Sequence, residues 1–259
     1  MKLKKLLPTI FLPAGLKRIA LMTALAGLVA STASAQLVFS FESSEGFVSG
    51  TSPVGGTTGW QGSSGAGAAA YLYVTDAKAY EGSQSIVVRN GANNSFFARN
   101  ADGSLLYNHG ITGFDFYMMH EPEPDVTVPP NTTIARWDLY YGDADDGLGF
   151  RMSMELRSPQ NGSTDYGIYF SSENNAFQGT PGSRTLPGSA SLDLTQWNKV
   201  SVWLDYEEKR LYVSINGITL ENIPVLLNAT NFTDDSRITA IRFQTPTTSS
   251  GATGTTYFD

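Results

Sequence analysis

The chain predicts an all-β protein built as a two-sheet antiparallel sandwich, and three observations carry that expectation. The first is Asp193–Gly217, which reads as two strands and a turn. Val200, Val202 and Leu204 alternate with Ser201, Trp203 and Asp205, and Leu211, Val213 and Ile215 alternate with Arg210, Tyr212 and Ser214. Period-two alternation of this kind marks a half-buried antiparallel sheet with one face in a core. The second is repetition, since short alternating segments follow one another along the chain, parted by Gly, Pro and Asn turns. The third is that no ten-residue window beyond the N-terminal segment carries a helical stripe.

Taken in order, residues 1–35 read as an export signal. Lys2, Lys4, Lys5, Lys17 and Arg18 precede an apolar run from Ile19 to Ala30, and Ala33-Ser34-Ala35 supplies the small residues that place cleavage before Gln36. The apolar run is too short for a membrane span of about 30 Å, and no later segment is apolar enough to cross a bilayer. The expected protein is therefore secreted, periplasmic or on the cell surface, with residues 36–259 as one domain.

Leu37–Glu42 alternates and predicts the first strand. Gly46–Gly67 is rich in Gly, Ser and Thr around Trp60 and predicts a long loop or irregular edge. Tyr71–Thr75, Gln84–Arg89 and Ser95–Arg99 predict short strands. Gly113–His120 sets Phe114, Phe116 and Met118 inward, with Asp115, Tyr117 and Met119 outward. Glu121–Asn131 holds four prolines and predicts a connecting loop. Ile134–Tyr141 turns Trp137 and Leu139 inward and Arg136, Asp138 and Tyr140 outward. Leu148–Arg157 turns Met152, Met154 and Leu156 inward and Arg151, Ser153, Glu155 and Arg157 outward. Thr164–Phe170 turns Ile168 and Phe170 inward and Tyr169 outward. Gly179–Gly188 predicts a loop, and Ile238–Gln244 a strand with Ile241 and Phe243 inward. Thr255–Asp259 reads as the start of a strand that the chain leaves unfinished, so a truncation within the last strand is expected.

Composition narrows the function classes. The signal takes with it five of the 17 basic residues and none of the 24 acidic ones, leaving 12 basic against 24 acidic residues and a net charge of −12. Such a surface repels phosphate backbones and anionic lipid, so nucleic acid is not an expected partner. The chain has no cysteine, which excludes a disulfide framework and thiol chemistry.

Three motifs resemble the concanavalin A-like jelly rolls, the superfamily of laminin-G-type modules, legume lectins and glucanases. Phe41–Phe47 (FESSEGF), followed by Gly59-Trp60, is similar to their first strand, and Ala79–Val88 (AYEGSQSIVV) to their second motif. Trp197-Asn198-Lys199-Val200 through Tyr212–Gly217 is similar to their W-x-x-V … V-x-V-x-N-G hairpin. The resemblance implies a jelly-roll sandwich and a carbohydrate-related role. It also implies that the first and last strands lie together and hold a structural Ca²⁺ between Glu42 and Asp259. A second calcium candidate comes from chemistry alone: Asp143, Asp145 and Asp146 cluster in one turn.

The outward residues are of a type that reads sugars, because aromatic faces stack on pyranose C–H faces and charged groups address hydroxyls. The expected ligand-binding set is Trp203, Tyr169, Arg151, Asp138, Tyr140, Trp60 and Tyr212. Cross-strand pairing on a solvated sheet is the plainer alternative. Catalysis has no motif behind it. The E-x-D-x-E strand of glucanases and a G-x-S-x-G elbow are both absent, and His109 and His120 read as loop residues. An enzyme of this fold would have to rely on Glu155, Arg151 and Tyr140. The expected role is a non-catalytic glycan-binding or cell-surface module, with a polysaccharide lyase or hydrolase and a protein-binding adhesion module as alternatives.

Overall fold

Phe39–Asp259 forms one compact unit in the computed structural model. The model describes residues 41–54, 59–63, 66–89, 97–100, 111–142, 150–173, 177–178, 182–220, 225–228, 237–245 and 254–259. The export signal, Leu37–Ser40, His109 and the Asp143, Asp145, Asp146 turn lie outside these residues. Among the described residues no helix is long and apolar enough to cross a membrane.

The strands in chain order are β1 (Trp60–Gly62), β2 (Leu72–Thr75), β3 (Ser85–Arg89), β4 (Phe97–Asn100), β5 (Ile111–Pro122), β6 (Thr133–Gly142) and β7 (Phe150–Arg157). They continue as β8 (Gly167–Glu173), β9 (Gly182–Thr185), β10 (Asn198–Asp205), β11 (Arg210–Ile215), β12 (Ile218–Thr219), β13 (Val225–Leu226), β14 (Arg237–Gln244) and β15 (Gly254–Phe258). A single helical turn, α1 (Ala66–Ala69), precedes β2.

Two antiparallel sheets result, as the alternation predicts. One has seven strands in the order β1-β4-β14-β6-β7-β8-β9. The other has eight, ordered β12-β11-β10-β5-β15-β3-β2 with β13 paired to β11. Their inner faces share one apolar core, in which Phe116 of β5 meets Trp137 of β6 edge-on at 5.4 Å and Phe258 of β15 stacks on Phe243 of β14 at 4.4 Å. This is the two-sheet sandwich expected of a jelly roll. The β11–β12 hairpin turns at Asn216-Gly217, both at positive φ (49° and 79°), the pairing that a two-residue type I′ turn requires.

Three expectations need correction. Phe41 and Glu42 are not in a strand, because Phe41 takes φ 51° and the chain enters a 3₁₀ turn over Ser43–Glu45. The Gly/Pro-rich stretch after β8 holds edge strand β9, paired to β8 through Tyr169–Ser183. Its sequence Gly-Ser-Arg-Thr carries no apolar alternation to reveal it. His120 is not a loop residue: it lies within β5 and is only 3% exposed.

Candidate functional site

The outer face of the seven-stranded sheet carries a layer of charge. Alternation turns Arg136, Asp138 and Tyr140 of β6 away from the core, with Arg151, Ser153, Glu155 and Arg157 of β7, Tyr169 of β8, and Arg242 and Gln244 of β14. Register then sets them side by side: Arg242 opposite Asp138, Asp138 opposite Ser153, Arg136 opposite Glu155, Glu155 opposite Tyr169, and Tyr140 opposite Arg151.

The two carboxylates described on this face, Asp138 and Glu155, are each held between guanidiniums. Asp138 accepts from Arg242, from the Ser153 hydroxyl and from Arg136 Nε at 3.4 Å. Glu155 Oε2 accepts from Arg157 Nη2 at 2.7 Å, Arg157 Nε at 3.1 Å and Thr133 Oγ1 at 3.0 Å, while Oε1 faces Arg136 Nη1 at 3.6 Å. Arg136 also donates to Ser153 Oγ at 2.9 Å and so ties the two carboxylates together. Two tyrosines lie over the cations, Tyr169 with its ring centroid 3.8 Å from the Arg157 guanidinium and Tyr140 with its own 5.3 Å from that of Arg242.

Burial divides this layer into a floor and a rim. Asp138 and Ser153 are fully buried and Arg242, Gln244, Tyr140 and Glu155 nearly so, whereas Arg136, Arg151, Arg157 and Tyr169 are half-buried. Burial pulls the Arg242 guanidinium below its ordinary value, and the neighbouring Asp138 acts in the opposite direction. Gln244 Oε1 is buried and has no hydrogen-bond partner among the described residues.

The structure splits the expected ligand set. Tyr169, Arg151, Asp138 and Tyr140 come together on this face. Trp203 and Tyr212 do not, because they pair with each other on the outer face of the eight-stranded sheet. There Trp203 lies across Gly113 of β5, where a Cβ would collide with its ring. Trp60 is corrected from an edge aromatic to a core one: it is 3% exposed and packs 5.3 Å from Phe41 and 6.1 Å from Phe243. Trp137 is core as expected, while Trp197 sits half-buried on the outer face of the eight-stranded sheet, edge-on to Tyr257.

Arg242 and Gln244 were absent from the expected set. Their signal is present in the sequence, since inward Ile241 and Phe243 require outward neighbours. What the sequence does not state is that β14 runs beside β6.

Glu42 and Asp259 do converge, on the turn over residues 80–84. Glu42 Oε1 accepts the Ser83 and Gln84 amides at 2.6 and 3.0 Å, and its Oε2 accepts the Ser83 hydroxyl at 2.5 Å. Asp259 Oδ2 accepts the Tyr80 and Glu81 amides at 2.5 and 2.9 Å. The Ser83 bonds hold the Glu42 carboxyl below its ordinary value. Burial, opposed by the two amides and reinforced by the charges of Glu42 and Glu81, raises that of Asp259. These N–H and O–H donors occupy part of the acceptor capacity of the two carboxylates. Among the described residues no group of three acidic or histidine side chains stands ready to hold a metal. As arranged, the pair is a hydrogen-bonded clamp on the turn over residues 80–84.

No family model and no curated protein matches the chain. Solved structures similar to it include an endo-1,3-beta-glucanase from Streptomyces sioyaensis, 12% identical with a TM-score of 0.46, covering 86% of this chain and 93% of that one. An alginate lyase from Chlorella virus is 14% identical with a TM-score of 0.40, covering 74% and 91%. A sialidase is 10% identical with a TM-score of 0.40, and there the matched region spans 78% of this chain but only 16% of that protein's length. At these values the likeness is one of general shape, and no chemistry of this chain follows from it.

Proposed function

We propose that this is an exported protein that binds a polysaccharide on the outer face of its seven-stranded sheet. The observation that carries the reading is the fixed layer of guanidiniums, carboxylates and tyrosines on β14, β6, β7 and β8. A sugar needs a platform for its C–H face and bidentate donors and acceptors for its hydroxyls, already oriented before it arrives. Tyr169 over Arg157 supplies the platform, and the Asp138–Arg136–Glu155 network supplies rigid polar groups beneath it.

Binding is favoured over hydrolysis by the occupancy of the carboxylates. Glu155 and Asp138 are both taken up by arginine and hydroxyl donors, which leaves neither placed to pass a proton to a leaving group. One observation favours a second reading, β-elimination by a lyase: Tyr140, a phenol able to move a proton, lies against the Arg242 guanidinium, a group able to neutralise a sugar carboxylate.

Affinity gel electrophoresis against a panel of polysaccharides tests the proposal, with unsaturated-product absorbance read in parallel. Retardation by one polymer without new absorbance is the expected result. Retardation with absorbance growth moves the assignment to the lyase. No retardation of the folded protein by any polymer contradicts a glycan-binding face.

A further inference from the structure

We propose that Tyr80 and Tyr117 form a modification site, a pair of phenols that a one-electron oxidant joins ring to ring as a dityrosine cross-link. The site lies on the outer face of the eight-stranded sheet and is independent of the proposed binding face. Tyr117 stands on β5, and Tyr80 opens the turn over residues 80–84. Their rings stack with centroids 3.5 Å apart and planes 14° from parallel, and their hydroxyls share a hydrogen bond. Stacked rings whose hydroxyls meet lie head to head. The carbons ortho to the two hydroxyls therefore face each other at about 3.5 Å, close to the separation from which a bond forms.

The backbone holds the pair in place. Asp259 Oδ2 accepts the Tyr80 amide at 2.5 Å. The Asp259 amide donates to the Tyr117 carbonyl at 2.9 Å, and the Tyr117 amide donates to the Asp259 carbonyl at 2.7 Å. One residue thus bridges the two tyrosines, while Glu42 pins the far side of the turn through Ser83 and Gln84. Tyr80 is 43% exposed, so an oxidant reaches it from solvent, whereas Tyr117 is half-buried beneath it. The chain has no cysteine, and this link would be a covalent staple of another kind, tying the turn that Glu42 and Asp259 both grip to β5.

The chemistry balances with hydrogen peroxide acting through a haem peroxidase. Each phenol gives up one electron and its hydroxyl proton, and the two radicals couple to form one Cε–Cε bond. The hydrogen on each coupled carbon then passes to oxygen as the rings become aromatic again. The two electrons and two protons released reduce one peroxide to two waters. The Tyr117 hydroxyl is pushed up to about 12 by its bond to Tyr80 and by burial, so it keeps its proton until it is oxidised.

The experiment treats the full protein, at low concentration, with hydrogen peroxide and a haem peroxidase. The native chain is compared with Tyr80→Phe and Tyr117→Phe, each verified as folded by circular dichroism. Dityrosine fluorescence, denaturing electrophoresis and peptide mapping are read together. The expected result is fluorescence in the monomer band and a peptide pair joined at residues 80 and 117. Both should vanish in either variant, because phenylalanine keeps the stacked ring and removes the phenol. Monomer fluorescence that both variants retain places the link elsewhere and overturns the proposal. Coupling only between molecules overturns it too, as does oxidation of Trp197, edge-on to Tyr80 at 6.3 Å, with no link formed. So does an absence of dityrosine in the native protein under conditions that couple free tyrosine.

Discussion

The two sheets present opposite chemistry on their outer faces. The seven-stranded sheet carries the arginine–carboxylate layer, whereas the eight-stranded sheet carries a small apolar core of its own. There Val87, Met119 and Tyr257 are buried beneath Tyr73 and Trp197. Tyr80 stacks on Tyr117 with centroids 3.5 Å apart, and hydrogen bonding with Tyr80, joined by burial, pushes the Tyr117 hydroxyl up to about 12. Lys78 bridges to Glu121, which also accepts the Tyr257 hydroxyl at 2.9 Å. On the eight-stranded sheet large outward aromatics are therefore no guide to a ligand, because they pack on one another. Groups that cannot be satisfied by apolar packing mark the functional face better.

The comparison can be broken first at Asp138. It is fully buried between Arg136 and Arg242, so Asp138→Ala leaves two cations uncompensated and should cost about 3–5 kcal/mol in urea unfolding. A loss below about 1 kcal/mol would show that the charged layer is solvated rather than built in.

The interior gives the next effect. His120 Nδ1 lies 3.0 Å from Thr256 Oγ1, whose hydroxyl donates to the Ile134 carbonyl at 3.1 Å, so Nδ1 carries the proton and donates. Nε2 is buried with no partner among the described residues, and burial pulls the imidazole down to about 4. The unfolded chain binds a proton near pH 6.5 and the folded one does not, so stability is full above that pH. It should fall by about 3 kcal/mol as pH drops through about 4. Chemical denaturation from pH 7 to pH 4 reads this, and His120→Gln should flatten the curve.

On the eight-stranded side, Met119→Ala should cost about 2–3 kcal/mol although Met119 points away from the main core. A loss of a few tenths would mean that the outer aromatic cluster is merely a solvated surface. The smallest effect belongs to the clamp: Glu42→Gln should cost about 1 kcal/mol, since the group is largely solvent-screened. The native melting temperature should be the same in calcium and in chelator. A calcium-dependent rise that Glu42→Gln abolishes would show that Glu42 and Asp259 hold a metal.

Much of this was legible in the sequence. Alternation fixes which way Trp137, Met152 or Val202 points, because a strand's side chains must take opposite faces in turn. It assigned Arg136, Asp138, Arg151 and Tyr169 outward without a coordinate. It does not record which strands are neighbours. Trp203 and Tyr169 therefore looked like parts of one surface, and Arg242, whose partner Asp138 lies 104 residues away, went unnoticed. Trp60 escaped for a related reason, since only the pairing of β1 with β4 brings that glycine-rich stretch over the core.

The most direct test sets the two outer faces against each other. Retardation by a polysaccharide that the native protein binds is measured for Trp203→Ala and for Arg151→Gln, both verified as folded. The account predicts that Trp203→Ala binds as the native protein does while Arg151→Gln is weakened about tenfold. Loss of binding in Trp203→Ala with full binding in Arg151→Gln would contradict it and move the ligand to the eight-stranded sheet.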